Sequence, residues 1–312
     1  MELFPSNSKF DFMRLRRAAI AVACALALIA LAALLTRGLN FALDFTGGTV
    51  AELHFEKPVE LDDLRERLDA AGFDGAVVQT IGASNEVMVR LQPRGGEGAA
   101  AQTADAVLQA VQSQDNPVTL VSSDFVGPQI GDELAYNGVL AVVFVLVGFL
   151  IYITIRFEWK FAVSAIVTTF FDVFVVVGYF ALVQREFDLT VLAGVMSVMG
   201  YSINDKIVVF DRVRENFRSS LRVSPAELLN ASVNQTLSRT IITSFVAFLT
   251  VVALYLYGGR SLENMAESQM IGIVLGTLSS IFVACPLLLM LNVSKRDLLP
   301  KARDLAALER RP

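Results

Sequence analysis

The chain has 312 residues, 54% of them hydrophobic and only 18% charged, with a formal net charge of −5 and a mean hydropathy of +0.56. That balance excludes an ordinary soluble domain and offers no excess of basic charge for nucleic acid; it is the composition of a polytopic membrane protein. The two cysteines, Cys24 and Cys285, both fall in apolar stretches, where they read as small hydrophobic fillers rather than as a disulfide.

Six apolar stretches approach the ~20 residues needed to cross about 30 Å of hydrocarbon. They are roughly Ala18–Thr36, Tyr136–Ile155, Phe161–Val183, Leu189–Phe210, Ile241–Tyr257 and Met270–Leu291. The first has a long core and no distinct cleavage site, so it reads as a span and not a signal peptide. The chain then divides into a tail (1–17), a first span (18–36), an outer segment (37–135), spans two to six (136–291) and a second tail (292–312). Basic residues cluster in both tails, in Arg156–Lys160 and in the fourth-to-fifth loop with Arg212, Arg214, Arg218, Arg222 and Arg239. All fall on one side of a six-span arrangement, which makes that side cytoplasmic. The acidic 37–135 segment and the short loops Gln184–Asp188 and Gly258–Ser268 fall outside.

Within the outer segment, Thr49–Phe55 alternates as a strand, and Leu61–Ala71 has helical spacing that stops at Gly72. Ala76–Ile81 and Val87–Leu91 are short strands around a turn at Gly82–Asn85. Gly95, Gly96 and Gly98 mark a loop, Ala99–Ser113 a second helix and Pro117–Ser122 a last strand. The βαββαβ order predicts a ferredoxin-like α+β domain between the first two helices of a polytopic α-helical membrane protein, a fold that decides no function alone. On its flanks lie Asp44, Gly47 and Gly48, just after the first span, and Gly127 and Pro128, just before the second. Both junctions are expected to act as hinges or rigid turns.

Ionisable groups inside the spans carry the functional argument. A charged side chain at the centre of a bilayer costs about 2.5–3.5 kcal/mol on insertion scales, so it is kept only where it faces protein, water or a partner charge. Asp172 lies in the third span and Asp205 and Lys206 in the fourth, with Arg239 at the cytoplasmic start of the fifth. The fourth and fifth spans are antiparallel neighbours, so Asp205 and Arg239 fall at similar depth and form a reasonable pair. Lys206 is expected to snorkel to the cytoplasmic interface. In the sixth span, Gly272, Gly276, Ser279 and Ser280 make a small-residue stripe suited to close helix packing. The Asp205 face, near Gly194 and Ser197, is expected to be buried against another chain. The single histidine, His54, lies in an expected strand. Neither a zinc pattern, a P-loop, a GxGxxG stretch nor a nucleophile elbow occurs, so no metal, cofactor or bond-making activity is expected.

FALDFTGGT (Phe41–Thr49), FVGPQIG (Phe125–Gly131), GYSINDKIVVFDRVREN (Gly200–Asn216), TLSRTIITS (Thr236–Ser244) and LYLYGG (Leu254–Gly259) together resemble the SecF family. This is the family of smaller partners of SecD in bacterial Sec protein export, within the resistance–nodulation–division superfamily. The resemblance covers nearly the whole chain. It implies an inner-membrane subunit with both termini cytoplasmic and a periplasmic outer domain. It also implies pairing with SecD in a pseudo-symmetric twelve-span bundle, association with the SecYEG channel, SecA and YajC, and an unfolded preprotein as cargo. Asp205 then looks like the family's proton-carrying carboxylate and Arg239 like its partner, with Asp172 a further member of the relay. Two positions depart from the usual pattern: Lys206 stands where a small polar residue is common, and Phe171 where many members have histidine. A half-size proton-coupled solute exporter is the alternative, but a single outer domain of about 95 residues is small for that. A passive scaffold has no use for Asp205.

Overall fold

The computed structural model describes residues 10–73, 75–81, 84–91, 97–113, 115–219 and 223–294, without the side chains of 97–102, 128 and 260. Gly82, Gly95, Gly96, Lys9, Arg222 and the basic residues of the C-terminal tail therefore lie outside the described residues. The chain divides into two units. One is formed by residues up to Asn40 together with those from Val142 onward, and the other by Phe41–Ala141.

The second unit begins around a two-residue strand, β1 (Asn40–Phe41), and a single turn, α2 (Leu43–Thr46). It then runs β2 (Gly48–Phe55), α3 (Leu61–Ala70), β3 (Val77–Thr80), β4 (Glu86–Leu91), α4 (Glu97–Val111) and β5 (Val118–Val126). The four longer strands form one sheet in the order β3-β4-β2-β5, with every neighbouring pair antiparallel. Alternation puts Ala51, Leu53 and Phe55 of β2 and Val87, Val89 and Leu91 of β4 on one face, against Leu64 and Leu68 of α3 and Val107 and Val111 of α4. Each large side chain buried in this way contributes about 1.5–3 kcal/mol. Gly72 ends α3 as expected. With φ +83° it lets its own N–H reach Asp69 O and the Phe73 N–H reach Leu68 O, closing the last turn. The last strand is longer than the sequence suggested. It continues to Val126, which pairs with Gly48, so FV of FVGPQIG is sheet and not hinge.

The glycine pair has a specific steric role there. Gly47 and Gly48 have φ +64° and +124°, values that side chains resist. A Cβ on Gly48 would fall on the carbonyl of Leu91, and one on Gly131 would come within 3.1 Å of the Gly47 nitrogen. The two glycine-marked junctions are thus packed against each other within this unit.

The first unit is helical. It contains the 3-10 turn η1 (Met13–Leu15), α1 (Arg16–Thr36), the later turns of α5 (Pro128–Arg156), α6 (Trp159–Val183), the short strand β6 (Glu186–Phe187), α7 (Leu189–Ser219) and α8 (Pro225–Tyr257). It closes with α9 (Arg260–Ser279), the π-helical turn η2 (Ser280–Ala284) and α10 (Cys285–Met290). Among the described residues, five helices are long and apolar enough to cross a membrane: Met13–Thr36, Gln129–Arg156, Trp159–Val183, Pro225–Tyr257 and Ser261–Met290. The 31-residue α7 is not one of them, because Tyr201, Ser202, Asn204, Asp205 and Lys206 interrupt its apolar run.

Helix ends differ from the apolar stretches read from sequence. The α7 helix continues past Phe210 to Ser219, and α8 starts at Pro225, well before Ile241. A capping box opens α8: Ser224 Oγ accepts from the Glu227 N–H at 3.3 Å, and Glu227 accepts from the Ser224 N–H at 3.2 Å. Phe217, Leu228, Leu229 and Val233 pack here with Phe157, Phe161 and Phe210, which is why these amphipathic extensions remain helical. The segment Gly258–Ser268, read as a loop, is helical from Arg260. Near the other end of that run, Pro286 cannot supply an N–H to the turn before it, and the helix widens to a π turn at Ser280–Ala284. Small residues bring helices close: a Cβ on Gly178 would overlap Ala30, one on Gly272 would overlap Val198, and one on Gly194 would overlap Ser268.

Candidate functional site

The polar interior of the helical unit is built where α6, α7, α8 and α9 meet. On α7, positions 198, 202, 205, 206 and 209 fall on the inward face by helical spacing, and all are buried. That spacing carries Ser202, Asp205 and Lys206 inward together. On the α9–η2 run, Ser279 and Ser280 end the small-residue stripe. Gly276 lets the helix approach Ser202 closely enough that an added Cβ would stand 3.3 Å from the serine Cβ. Backbone proximity thus delivers two hydroxyls to two different carboxylates.

Asp172 of α6 is fully buried. Its Oδ2 accepts from Ser202 Oγ at 2.5 Å, from Lys206 Nζ at 2.8 Å and from Ser279 Oγ at 2.8 Å. Lys206 Nζ also donates to Ser202 Oγ. Among the described residues, Asp172 Oδ1 and the nearby Thr169 hydroxyl have no hydrogen-bond partner. Lys206 itself has a fully buried side chain in an ion pair with Asp172. It therefore does not snorkel. Its stem lies inside the bundle because a counter-charge one helix away is within reach, and the α6–α7 register that puts it there is not visible in local sequence.

Asp205 is 5% exposed and accepts a hydrogen bond from Ser280 Oγ at 2.5 Å. Lys206, Arg239 and the Thr240 hydroxyl act on it electrostatically. Among the described residues Asp205 has no ion-pair partner: Arg239 lies within electrostatic reach, but its side chain is exposed on α8. Next to this carboxylate, Tyr201 OH donates to Ser244 Oγ at 2.6 Å, Thr277 Oγ1 donates to the same oxygen at 2.7 Å, and Ser280 Oγ also donates to Thr277 O. Hydroxyls of α7, α8 and α9 thus cluster near Asp205, with Ser280 joined to the cluster through the Thr277 backbone carbonyl.

The remaining expected positions behave differently. Asp44 lies in the first turn of α2, and Gly47 and Gly48 make the tight packing described above. The Gly127 carbonyl accepts from the N–H groups of Ile130 and Gly131 as Pro128 opens α5. Gly194 does not face outward: it is buried against Ser268 and Met265 of α9. Ser197 and Asn204, by contrast, are exposed. The Asp205 face is thus covered by α9 of this same chain, while a neighbouring stripe of α7 remains open. That stripe forms an apolar groove with α5, lined by Phe144, Gly148, Tyr152, Gly200, Asn204 and Ile207.

Two groups were missed from sequence. Toward the opposite end of the helices, Arg185 lies 3.5 Å from Glu263 and 3.4 Å from Glu267, and Tyr179 OH donates to Glu267 at 2.6 Å. Also, Asn230 and Asn234 of α8 hold the backbone of Phe10 and Phe12 through four hydrogen bonds of 2.8–3.0 Å. The sequence signal for the first was an acid pair at i, i+4, Glu263 and Glu267, whose arginine lies 78 residues away from Glu263, and the second had an Asn pair at the same spacing.

Comparison with known proteins bears on the same residues. The C-terminal profile of the protein export membrane protein SecD/SecF matches residues 106–294, and the SecD/SecF GG motif matches residues 32–59. The protein translocase subunit SecF of Vibrio alginolyticus is 41% identical over 96% of this chain and 95% of its own length. That of Pseudomonas aeruginosa is 44% identical over 94% and 95%. The protein translocase subunit SecDF of Brucella abortus is 35% identical over 95% of this chain but only 39% of its own. The crystal structure of SecDF, a translocon-associated membrane protein from Thermus thermophilus, superposes with a TM-score of 0.82 at 36% identity. It matches 93% of this chain, which spans 40% of that longer one. With near-full-length identity to SecF proteins and a family profile covering the polar interior and its helices, the chain belongs to the SecF family of protein-export membrane proteins.

Proposed function

We propose that the chain is a subunit of a protein translocase that works with a SecD-like partner and uses the proton motive force to promote late steps of preprotein export. The observation that carries this reading is Asp205: a carboxylate 5% exposed, hydrogen-bonded by Ser280 and without an ion-pair partner among the described residues. A buried, unpaired carboxylate exchanges a proton with its surroundings according to how close a cation stands. Exposed Arg239 is that cation, and movement between α7 and α8 would change its influence. No bond-making chemistry is required of the protein.

The architecture that goes with this reading has six spans, with α7 as the fourth, in an inner membrane with both termini in the cytoplasm. The boundaries would be 18–36 for the first span, 37–135 for a periplasmic ferredoxin-like domain and 136–291 for the other spans. Strand order β3-β4-β2-β5 supports the ferredoxin-like assignment, and burial of α7 among α6, α8 and α9 supports its place as a span. A SecD-like chain as partner is supported by the fused SecDF relatives and by the open α5–α7 groove. Contacts with a SecYEG channel, SecA, YajC and an unfolded preprotein belong to the same proposal. Export of a preprotein into inverted membrane vesicles, with and without this chain, tests it. The stimulation due to the chain should vanish when an ionophore collapses the proton gradient; stimulation that survives the ionophore would refute it.

A further inference from the structure

The helical interior holds two carboxylates, and the arrangement treats them unequally. Asp205 has a serine hydroxyl and an exposed arginine at a distance. Asp172 has a buried ammonium at 2.8 Å and two serine hydroxyls converging on the same oxygen. We infer that Lys206 fixes Asp172 as a permanent anion, so that this chain has one exchangeable proton site, Asp205, rather than two. The inference rests on the reading of Asp205 as a proton carrier.

Three observations support it. First, both partners are fully buried, so neither charge can be compensated by water, and each requires the other. Second, the direction of the hydrogen bonds is set. Lys206 Nζ has only protons to give, so it donates to Asp172 Oδ2 and to Ser202 Oγ, and Ser202, accepting from Lys206, donates to the same Oδ2; the single hydroxyl proton of Ser279 is shared between Oδ2 and Gly276 O. An oxygen accepting from an ammonium and a hydroxyl at once is one that bears charge; the hydroxyl oxygen of a protonated acid would be a poor acceptor for both. Third, among the described residues Lys206 is the only charged side chain in contact with Asp172. The faces of α6, α7 and α9 around it otherwise offer hydroxyls and apolar groups. The same ammonium is thus committed to Asp172 by direct contact, and Asp205 is held by Ser280 instead. Lys206 is therefore a positioning residue for the relay and not a carrier.

The idea is tested with a hydrophobic carbodiimide, dicyclohexylcarbodiimide, which adds to protonated carboxyl groups in apolar surroundings. Membranes containing the full chain and its SecD-like partner are labelled across a pH series, and peptides bearing Asp172 and Asp205 are read by mass spectrometry. Asp205 should be labelled and Asp172 should stay at background. In Lys206→Met, Asp172 loses its counter-ion and must take up a proton, so its labelling should rise to the level of Asp205. If Lys206→Met fails to accumulate, Asp172→Asn/Lys206→Met, which removes both charges, should accumulate. Labelling of Asp172 in the unmodified protein would overturn the inference. So would an unlabelled Asp172 in an accumulated Lys206→Met protein, or a double variant no better accumulated than a deficient single. A result in which Asp172 behaves as stated but Asp205 is never labelled would overturn the proton-carrier reading and leave the Asp172–Lys206 pairing intact.

Discussion

Replacing Asp205 by asparagine separates folding from proton exchange. Asparagine has the size of aspartate, and its amide oxygen can still accept the hydrogen bond that Ser280 gives at 2.5 Å. Exchanging a charge-assisted bond for a neutral one costs about 1 kcal/mol. Part of this is offset, because the variant no longer holds a charge at a site only 5% exposed. The variant should therefore accumulate in the membrane at close to the normal level and still bind its partner chain. What disappears is titration. One proton crossing about 100 mV supplies about 2.3 kcal/mol, which is a roughly 50-fold bias on a two-state element. Without a titrating group the two states are populated alike whatever the gradient. The assay is preprotein uptake by inverted vesicles, measured with and without ionophore, so that the gradient-dependent part is obtained by difference. That part should vanish in Asp205→Asn while the ionophore-insensitive part persists. Vesicles of the variant that kept the full gradient-dependent part would show that Asp205 is only a structural polar residue.

Arg239→Met should copy this phenotype at little cost in stability, because the arginine is exposed and removes no buried partner; uptake with and without ionophore reads it. Gly272→Leu forces a side chain into Val198 and should cost about 1–3 kcal/mol by overpacking, lowering the thermal midpoint of the purified protein. Cysteines placed at Ser197 and Asn204, both exposed on α7, should crosslink to a SecD-like chain, whereas one at Gly194, buried against α9, should not; equal crosslinking from all three would contradict the packing of α7 on α9. Reporter fusions after Asp188 should be exported and fusions after Asn216 should remain cytoplasmic, and the reverse pattern would invert the orientation read from the basic residues.

Local chemistry determined a good part of this protein. Length of apolar runs announces membrane helices, alternation announces the strands of the sheet unit, and Gly72 ends its helix because only glycine adopts the required φ cheaply. Asp205 was legible too, since a carboxylate within an apolar run is costly wherever the helix packs. The tertiary structure alone decided where the other polar groups go. Lys206 looked free to reach the interface, yet it is drawn to Asp172, a residue 34 positions away in sequence. Ser279 and Ser280 looked like packing residues, yet they supply one hydroxyl to each carboxylate, because Gly276 lets α9 approach α7. Gly194 and Ser197 share a stretch of helix but look inward and outward. Helix ends also escaped the sequence, because hydropathy marks where a segment is apolar, whereas the amphipathic turns beyond are held by Phe217, Leu228 and Val233 in the shared core. The common reason is register. The rotation and depth of one helix against another depend on side chains far apart along the chain, and a pairing set by such contacts leaves no local pattern to read.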